Sequence, residues 1–560
     1  MEQPRSNGHY WNYFAAISML LITLAAIHWS LDHSFGTNWD ESIYLNEVQV
    51  DTQRLQGGML LKVGGRIFLK SWGRPPAYRI LAVPFVALFG FHSATARIVT
   101  LACFGLSAWF IYLATRGISS AAAGAFAVLV FVLSPQIVSA SIWFSTEGPL
   151  YLATSAMLYC LFACWSGRSE TTGTWVGLGL AVGLGFLSKA SFVLIALPLL
   201  AFWLVVDRWG QLGIPKLTSQ LKAGLLAFVV AGPWWLLNIK SAVTNVQTAR
   251  GYVRNSLGPP SVATWIRWLG TVVQGLLGYG LSLLILLVVI AFLRKVVAKR
   301  ETTLDRLQSA SLGACACAGV PLLLAQLSGT NHLLRHISPA VIPLAIAMGV
   351  LSYKAEWAHS GASIGVSSIL FCAQLIMILT AVVYPNSHMV DSGLVNGSLP
   401  WRIMVRHDQW DWSPVLDIGH GCGLDSPKIA YLGGGPAFTQ PAIEFPWAAK
   451  ATSTRGSAVD YPDVRLLWKQ EEGSLDWQKL MDSAAKSDLV ITAPHYIGRA
   501  DNKEDVDNQH NAEFSDRLSR DPRFRGPIHL QMGRFEPVEV VVFLNNSIAC
   551  HSGEQAPANQ

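Results

Sequence analysis

Two adjacent carboxylates, Asp40 and Glu41, follow the first long apolar run of this 560-residue chain. They sit in Trp39-Asp40-Glu41-Ser42-Ile43-Tyr44, framed by aromatics and a few residues past a membrane exit. Uncompensated charge is costly at that depth. A carboxylate there is placed to take a proton from an incoming hydroxyl or amine. Other polar residues mark the ends of later apolar runs: Arg74 before Pro75-Pro76, Glu147 after Ser145-Thr146, Lys189 between two short runs, and Arg335-His336 before a late run. Cations so placed hold a phosphate as it becomes a leaving group, through charge-assisted hydrogen bonds in a low dielectric. Each residue also has a plain structural reading. Acids favour the first turn of a helix, which suits Asp40, Glu41 and Glu147. Lys189 can reach the interface from between spans. Arg335 can anchor a helix end, and Arg74 can be an ordinary loop arginine. As a set facing one side, they point to chemistry on a phosphate.

The elements that must position them are membrane helices. The chain is 51% hydrophobic and 14% charged, against roughly 25% charged in soluble domains. Its mean hydropathy is +0.36. This is the composition of a polytopic α-helical membrane protein, and its apolar runs are read as about 11 spans, the fifth and sixth of them short, with further juxtamembrane helices. The expected spans are Tyr13–Leu31, Thr95–Thr115, Ala121–Val138, Pro149–Cys164, Trp175–Leu187, Phe192–Val206, Ala223–Ile239, Val272–Phe292, Ala310–Leu327, Ser338–Leu351 and Ile364–Val383. The first is too long for a signal-peptide core and is read as retained. Leu45–Leu55 reads as an amphipathic helix on the membrane surface. Ala77–Phe91, with Arg79 and Pro84 inside it, is too short to cross and reads as juxtamembrane or re-entrant.

Residues 1–384 then form a transmembrane domain and 385–560 a soluble one. In the latter, Lys428–Leu432, Asp488–Ala493 and Val538–Leu544 read as strands, and Trp477–Ala485 and Phe514–Leu518 as helices: a small α/β domain. Gly433-Gly434-Gly435 after the first strand lacks phosphate-loop spacing and a good following helix, so it reads as a strand-end turn. With the N-terminus inside, the densest basic cluster, Arg294 to Arg306, falls inside, as the positive-inside rule requires. The polar site residues and the C-terminal domain then fall outside. Six cysteines lie in apolar runs and read as small buried hydrophobes. Cys422 and Cys550 lie in the polar region and are able to pair in an oxidising compartment.

A site half in the bilayer suits a donor with a membrane-embedded tail and a sugar head. Outside the cell no nucleotide sugar is supplied, so a lipid-phosphate sugar is the sensible donor. The sequence resembles the GT-C superfamily of membrane glycosyltransferases, in the branch of protein O-mannosyltransferases and aminoarabinose transferases. The resemblance rests on Trp39-Asp40-Glu41-Ser42-Ile43-Tyr44, Arg74-Pro75-Pro76-Ala77-Tyr78, Thr146-Glu147, the Gly-Leu-rich run ending in Ser188-Lys189-Ala190, Pro233-Trp234-Trp235 and Arg335-His336-Ile337-Ser338-Pro339. It implies a GT-C-like fold and transfer of a hexosyl or pentosyl group, with inversion, from a polyprenyl-phosphate sugar. The acceptor would be a lipid, glycan or protein on the extracytoplasmic face. It implies Asp40 as base, Glu41 and Glu147 assisting or contacting acceptor, and Arg74 holding the lipid phosphate. Lys189, Arg335 and His336 are further candidates for that phosphate; Ala190 and His336 depart from the family's usual Gly and Tyr. The implied location is a bacterial inner membrane, with the N-terminus cytoplasmic and the C-terminal domain periplasmic.

The reading from another class is a transporter or flippase of a lipid-linked or anionic solute. That would call for acids deep inside spans as proton relays, and these spans are almost free of them. No cofactor is implied, no metal-ligand spacing occurs, and no basic arm suggests nucleic acid.

Overall fold

The structure is a computed structural model. It describes residues 6–33, 39–69, 73–166, 172–208, 217–257, 261–299, 304–327, 334–357, 361–384, 410–435, 437–451, 462–468, 474–496, 508–533 and 537–550. Gly36-Thr37-Asn38 and Pro436 lie outside the described residues. The chain divides into two compact units: Met1–Asp32, Leu61–Ala82 and Ala96–Arg406 in the first, His33–Leu60, Val83–Thr95 and His407–Gln560 in the second.

The helices run α1 Ser6–Asp32, α2 Trp39–Gln56, α3 Leu60–Leu69, α4 Ala77–Phe89, α5 Ser93–Ile118, α6 Ala121–Val132, α7 Pro135–Ile142, α8 Glu147–Trp165, α9 Thr172–Ser188 and α10 Val193–Arg208. Then come α11 Leu217–Leu257, α12 Val262–Thr271, α13 Tyr279–Lys299, α14 Arg306–Leu327, α15 Val341–Lys354 and α16 Gly361–Val383. Among the described residues, 7 helices are long and apolar enough to cross a membrane, or 8 if the bent pair α6–α7 is one span. The expected runs at α9, α10 and α15 are helical but shorter. Leu20, Leu24, Leu225, Phe228, Leu236, Leu286 and Ile369 stand exposed along these helices. Rows of that kind suit lipid tails, and a water-facing surface does not carry them at this density. The chain is a multi-pass membrane protein.

Several helices depart from the expected spans for local reasons. The third expected span breaks after α6 and bends by 67° into α7. Pro135, first in α7, offers no amide hydrogen. Residues expected in the following loop are therefore helical to Ile142. The eighth expected span does not start at Val272. Val272–Leu277 is π-helical and Gly278, at φ +78, ends it before α13. A side chain there would also run into the Gln374 amide of α16. The seventh is not confined to Ala223–Ile239: α11 is one helix of 41 residues, with Pro233 inside it. At about 1.5 Å per residue it spans about 61 Å, roughly twice the hydrocarbon thickness.

In the first unit α9 packs along α11. Gly179 and Gly183, one helical turn apart, are the reason. A Cβ on Gly183 would lie 2.8 Å from Val230, and one on Gly179 2.8 Å from the Ala223 carbonyl. Small residues at this spacing let two backbones approach.

The second unit holds α2, and α2 does not lie on a surface with one face in water. Glu41, Ser42, Gln49, Asp51 and Thr52 are all buried. It packs against α18 (Gln440–Ala451), and Asn46 donates to the Pro441 carbonyl at 2.9 Å. With α17 (Ser413–Gly421), α19 (Trp477–Ala484) and α20 (Asn511–Arg520), α18 flanks a five-stranded sheet. The strands are β1 Lys428–Tyr431, β2 Asp463–Leu466, β3 Leu489–Thr492, β4 Phe524–Met532 and β5 Val538–Asn545, in the order β2-β1-β3-β5-β4. The first three are parallel; β5 is antiparallel to β3 and β4. The alternation of side chains makes two cores. Ile429, Tyr431, Leu489 and Ile491 face one layer, while Ala430, Leu432 and Val490 face the other. Cys422 and Cys550 are joined in a disulfide.

Candidate active site

Asp40 and Glu41 form the first turn of α2, in the second unit. Asp40 is half-buried and Glu41 fully buried. The remaining candidates, Arg74, Glu147, Lys189, Arg335 and His336, belong to the first unit.

There, α11 sets two of the cations. Its Pro233-Trp234-Trp235 element places Trp234 at full burial in a cluster with Ala77, Leu187, Ala231 and Ala242. Trp235 donates through Nε1 to the Phe186 carbonyl of α9 at 3.1 Å, one turn before Lys189. Asn238, one turn further along α11, donates to the Phe68 carbonyl of α3 at 2.6 Å and to the Trp234 carbonyl at 2.9 Å. Gly73, at φ +70, rests on α11 itself: a Cβ there would lie 2.6 Å from the Ser241 carbonyl carbon. Only glycine fits such an approach at positive φ. Arg74 follows it, half-buried, and Pro75-Pro76 then starts α4. The segments carrying Arg74 and Lys189 are thus tied to one face of one helix.

Lys189 ends α9. Its amide donates to the Gly185 carbonyl at 3.2 Å, and its carbonyl accepts from Phe192 at 3.0 Å. Its ammonium donates to Glu147 Oε1 at 2.7 Å, with the lysine side chain 20% exposed and the glutamate 2%. Glu147 opens α8, and Thr146 donates to its other oxygen at 3.3 Å. Gly148 lets this end of α8 close on Thr100 of α5, where a Cβ would lie 2.7 Å from the threonine methyl. The structure thus brings Glu147 and Lys189 together as an ion pair. Arg335 and His336 sit half-buried in a 3-10 turn, Leu334–His336, and Arg335 is close enough to act electrostatically on Glu147.

Tyr151 and Ser338, both fully buried, were not singled out from sequence. Tyr151 lies one turn beyond Glu147 on α8, and Ser338 precedes Pro339. Those two spacings were the available signals. Among the described residues no three of His, Cys, Asp and Glu gather as a metal-ligand set. The glycine turn after β1 does lead into a helix, α18, contrary to expectation. Its peptide is already occupied: Gly434 donates to Asn508 at 2.9 Å and accepts from it at 2.8 Å.

Comparison with known proteins adds to this geometry. Residues 73–236 match the family of dolichyl-phosphate-mannose-protein mannosyltransferases. That stretch holds Arg74, Glu147, Lys189 and Pro233-Trp234-Trp235. Over 158 residues the chain is 31% identical to an undecaprenyl phosphate-alpha-4-amino-4-deoxy-L-arabinose arabinosyl transferase 2 of Pseudomonas fluorescens. The match takes in 27% of this chain and 26% of that relative. The crystal structure of ArnT from Cupriavidus metallidurans bound to undecaprenyl phosphate superposes over 97% of this chain and 99% of its own, at a TM-score of 0.54 and 14% identity. The apo form of the same protein covers 93% and 97%, at 0.53 and 13%. The chain has the fold of that ArnT structure, and the likeness takes in the C-terminal sheet.

Proposed function

We propose that this protein is a glycosyltransferase that moves a hexosyl or pentosyl group from a polyprenyl-phosphate donor to a lipid, glycan or protein acceptor. The observation that carries the reading is the fixing of Arg74 and Lys189 to one face of α11, within a fold like that of an enzyme crystallised with undecaprenyl phosphate. In the reaction, an acceptor oxygen or nitrogen attacks the anomeric carbon as the bond from that carbon to the phosphate oxygen breaks. Configuration inverts, Asp40 takes the acceptor proton, and polyprenyl phosphate leaves. Glu41 supports Asp40. Arg74, Lys189, Arg335 and His336 stabilise the charge growing on the phosphate. Glu147 holds Lys189 in place.

Residues 1–384 serve as the catalytic membrane domain and 385–560 as a periplasmic domain, with the N-terminus in the cytoplasm of a bacterium. The basic cluster at the end of α13 supports that orientation. So does the disulfide, since such bonds persist in oxidising compartments. The test is transfer of label from radioactive polyprenyl-phosphate sugars to membrane extract by the purified protein. Asp40→Asn is expected to lower transfer by at least about 100-fold without changing the melting temperature. Arg74→Ala should raise the donor KM far more than Arg74→Lys. An Asp40→Asn protein as active as wild type sinks the assignment of the base.

A further inference from the structure

Arg335 sits in a short turn whose hydrogen bonding is unusual. In a continuing helix its carbonyl would accept from the amide four residues on. That residue is Pro339, which has no amide hydrogen. The hydroxyl of Ser338 supplies the missing bond and donates to the Arg335 carbonyl at 2.9 Å. Having given its proton away, Ser338 Oγ accepts from the phenol of Tyr151 at 2.6 Å. Tyr151 and Ser338 are both completely buried, so water does not compete for either bond. Tyr151 stands one helical turn after Glu147, which holds Lys189. One face of the first two turns of α8 therefore fixes two cations, one through a carboxylate and the other through a phenol–hydroxyl–carbonyl chain.

We infer that Tyr151 is a positioning residue for lipid-phosphate binding. Through Ser338 it holds the turn that presents Arg335, and it does so without touching substrate. The inference rests on the reading of Arg335 as a phosphate-binding cation. The structural half is independent of that reading: the phenol sets the Ser338 rotor, and the rotor sets the carbonyl of the arginine-bearing turn.

The test uses the full-length protein in detergent, with undecaprenyl phosphate as probe and Tyr151→Phe, Arg335→Ala and the double variant. Tyr151→Phe is expected to weaken binding by about fivefold to tenfold and to raise the donor KM while kcat holds. In the Arg335→Ala background, Tyr151→Phe should add nothing, because residues acting as one unit are not additive. A phenol serving only general stability would cost the same factor in both backgrounds, and that result overturns the inference. Hydrogen exchange across residues 334–340 is the second measurement. The Ile337 and Ala340 amides, bonded to the Leu334 and Ile337 carbonyls, should exchange faster in Tyr151→Phe. Unchanged exchange overturns the brace itself. Failure of the wild type to bind the lipid overturns the functional reading on which the inference rests.

Discussion

At the residue scale, the Glu147–Lys189 pair changes what each side chain offers. Sequence suggested an acid near the acceptor and a cation near the phosphate. The structure joins them at 2.7 Å, with the acid almost completely buried. A carboxylate spent on an ammonium is a poor independent base, so we assign Glu147 a holding role. Glu147→Gln removes the charge and leaves the ammonium without its partner. Loss of a charged hydrogen bond costs roughly 1.5–3 kcal/mol, so lower thermal stability and a raised donor KM are expected together. Adding Lys189→Met should recover the stability and not the KM. If stability falls while KM holds, Lys189 does not serve the donor. Most of the candidate residues were legible because charge at the end of an apolar run is conspicuous. Tyr151 and Ser338 were not, because a buried phenol and hydroxyl look like ordinary helix residues until a contact 187 residues apart is seen.

At the element scale, the close packing of α9 on α11 places Lys189, while Gly73 and Asn238 tie the Arg74 segment to α11 directly. Gly183→Leu would push a side chain into Val230. Overpacking of this kind costs typically 1–3 kcal/mol. The expected outcome is a lower melting temperature together with weaker lipid-phosphate binding, read by thermal shift and by binding of undecaprenyl phosphate. Gly270→Leu is the control, since a Cβ there meets nothing within 4 Å. Equal effects from the two changes would show that α9 packing is not what sets Lys189. The runs that became α1, α5, α14 and α16 were readable from hydropathy alone. The breaks at Pro135 and Gly278 were not placed, because hydropathy continues across them while backbone hydrogen bonding does not. Among strands, β1, β3 and β5 announced themselves as apolar runs. β2 is a short outer strand, and β4 carries Pro527 with a register shift between Arg525 and Ile528. Outer strands tolerate proline, and their weak patterns hide them. The helix α18 escaped notice because Pro441 and Pro446 lie within it.

At the scale of the whole molecule, the second unit carries its own pH dependence. Burial pushes the Glu444 carboxyl up to about 7, the charge of Asp463 adds to this, and a hydrogen bond from Gln440 opposes it. The folded form therefore holds a proton that the unfolded chain has released above the ordinary carboxylate range. Stability of this unit should fall as pH rises from about 4.5 to about 7, then level off. Melting of this unit, followed by tryptophan fluorescence across that range, should show the slope. Glu444→Gln should flatten it and leave the protein more stable at pH 8. A slope that survives the substitution would assign the titration elsewhere. The disulfide works on the same unit by a different route. It closes a loop of sequence separation 128, which restricts the unfolded chain by about 4–5 kcal/mol in the chain-entropy account.

The hydrogen bond from Asn46 to the Pro441 carbonyl joins residues 395 apart. During synthesis at roughly 5 to 20 residues per second, the partner of α2 emerges about 20 to 80 s after α2 itself. For that interval the helix bearing Asp40 has, of the rest of its own unit, only the Val83–Thr95 segment to close against, where Gln56 donates to the Ala87 carbonyl at 3.2 Å. Completion of the unit around α2 is therefore one of the last events of synthesis. α2 gains its last packing partner only once the C-terminal part of the second unit has been built.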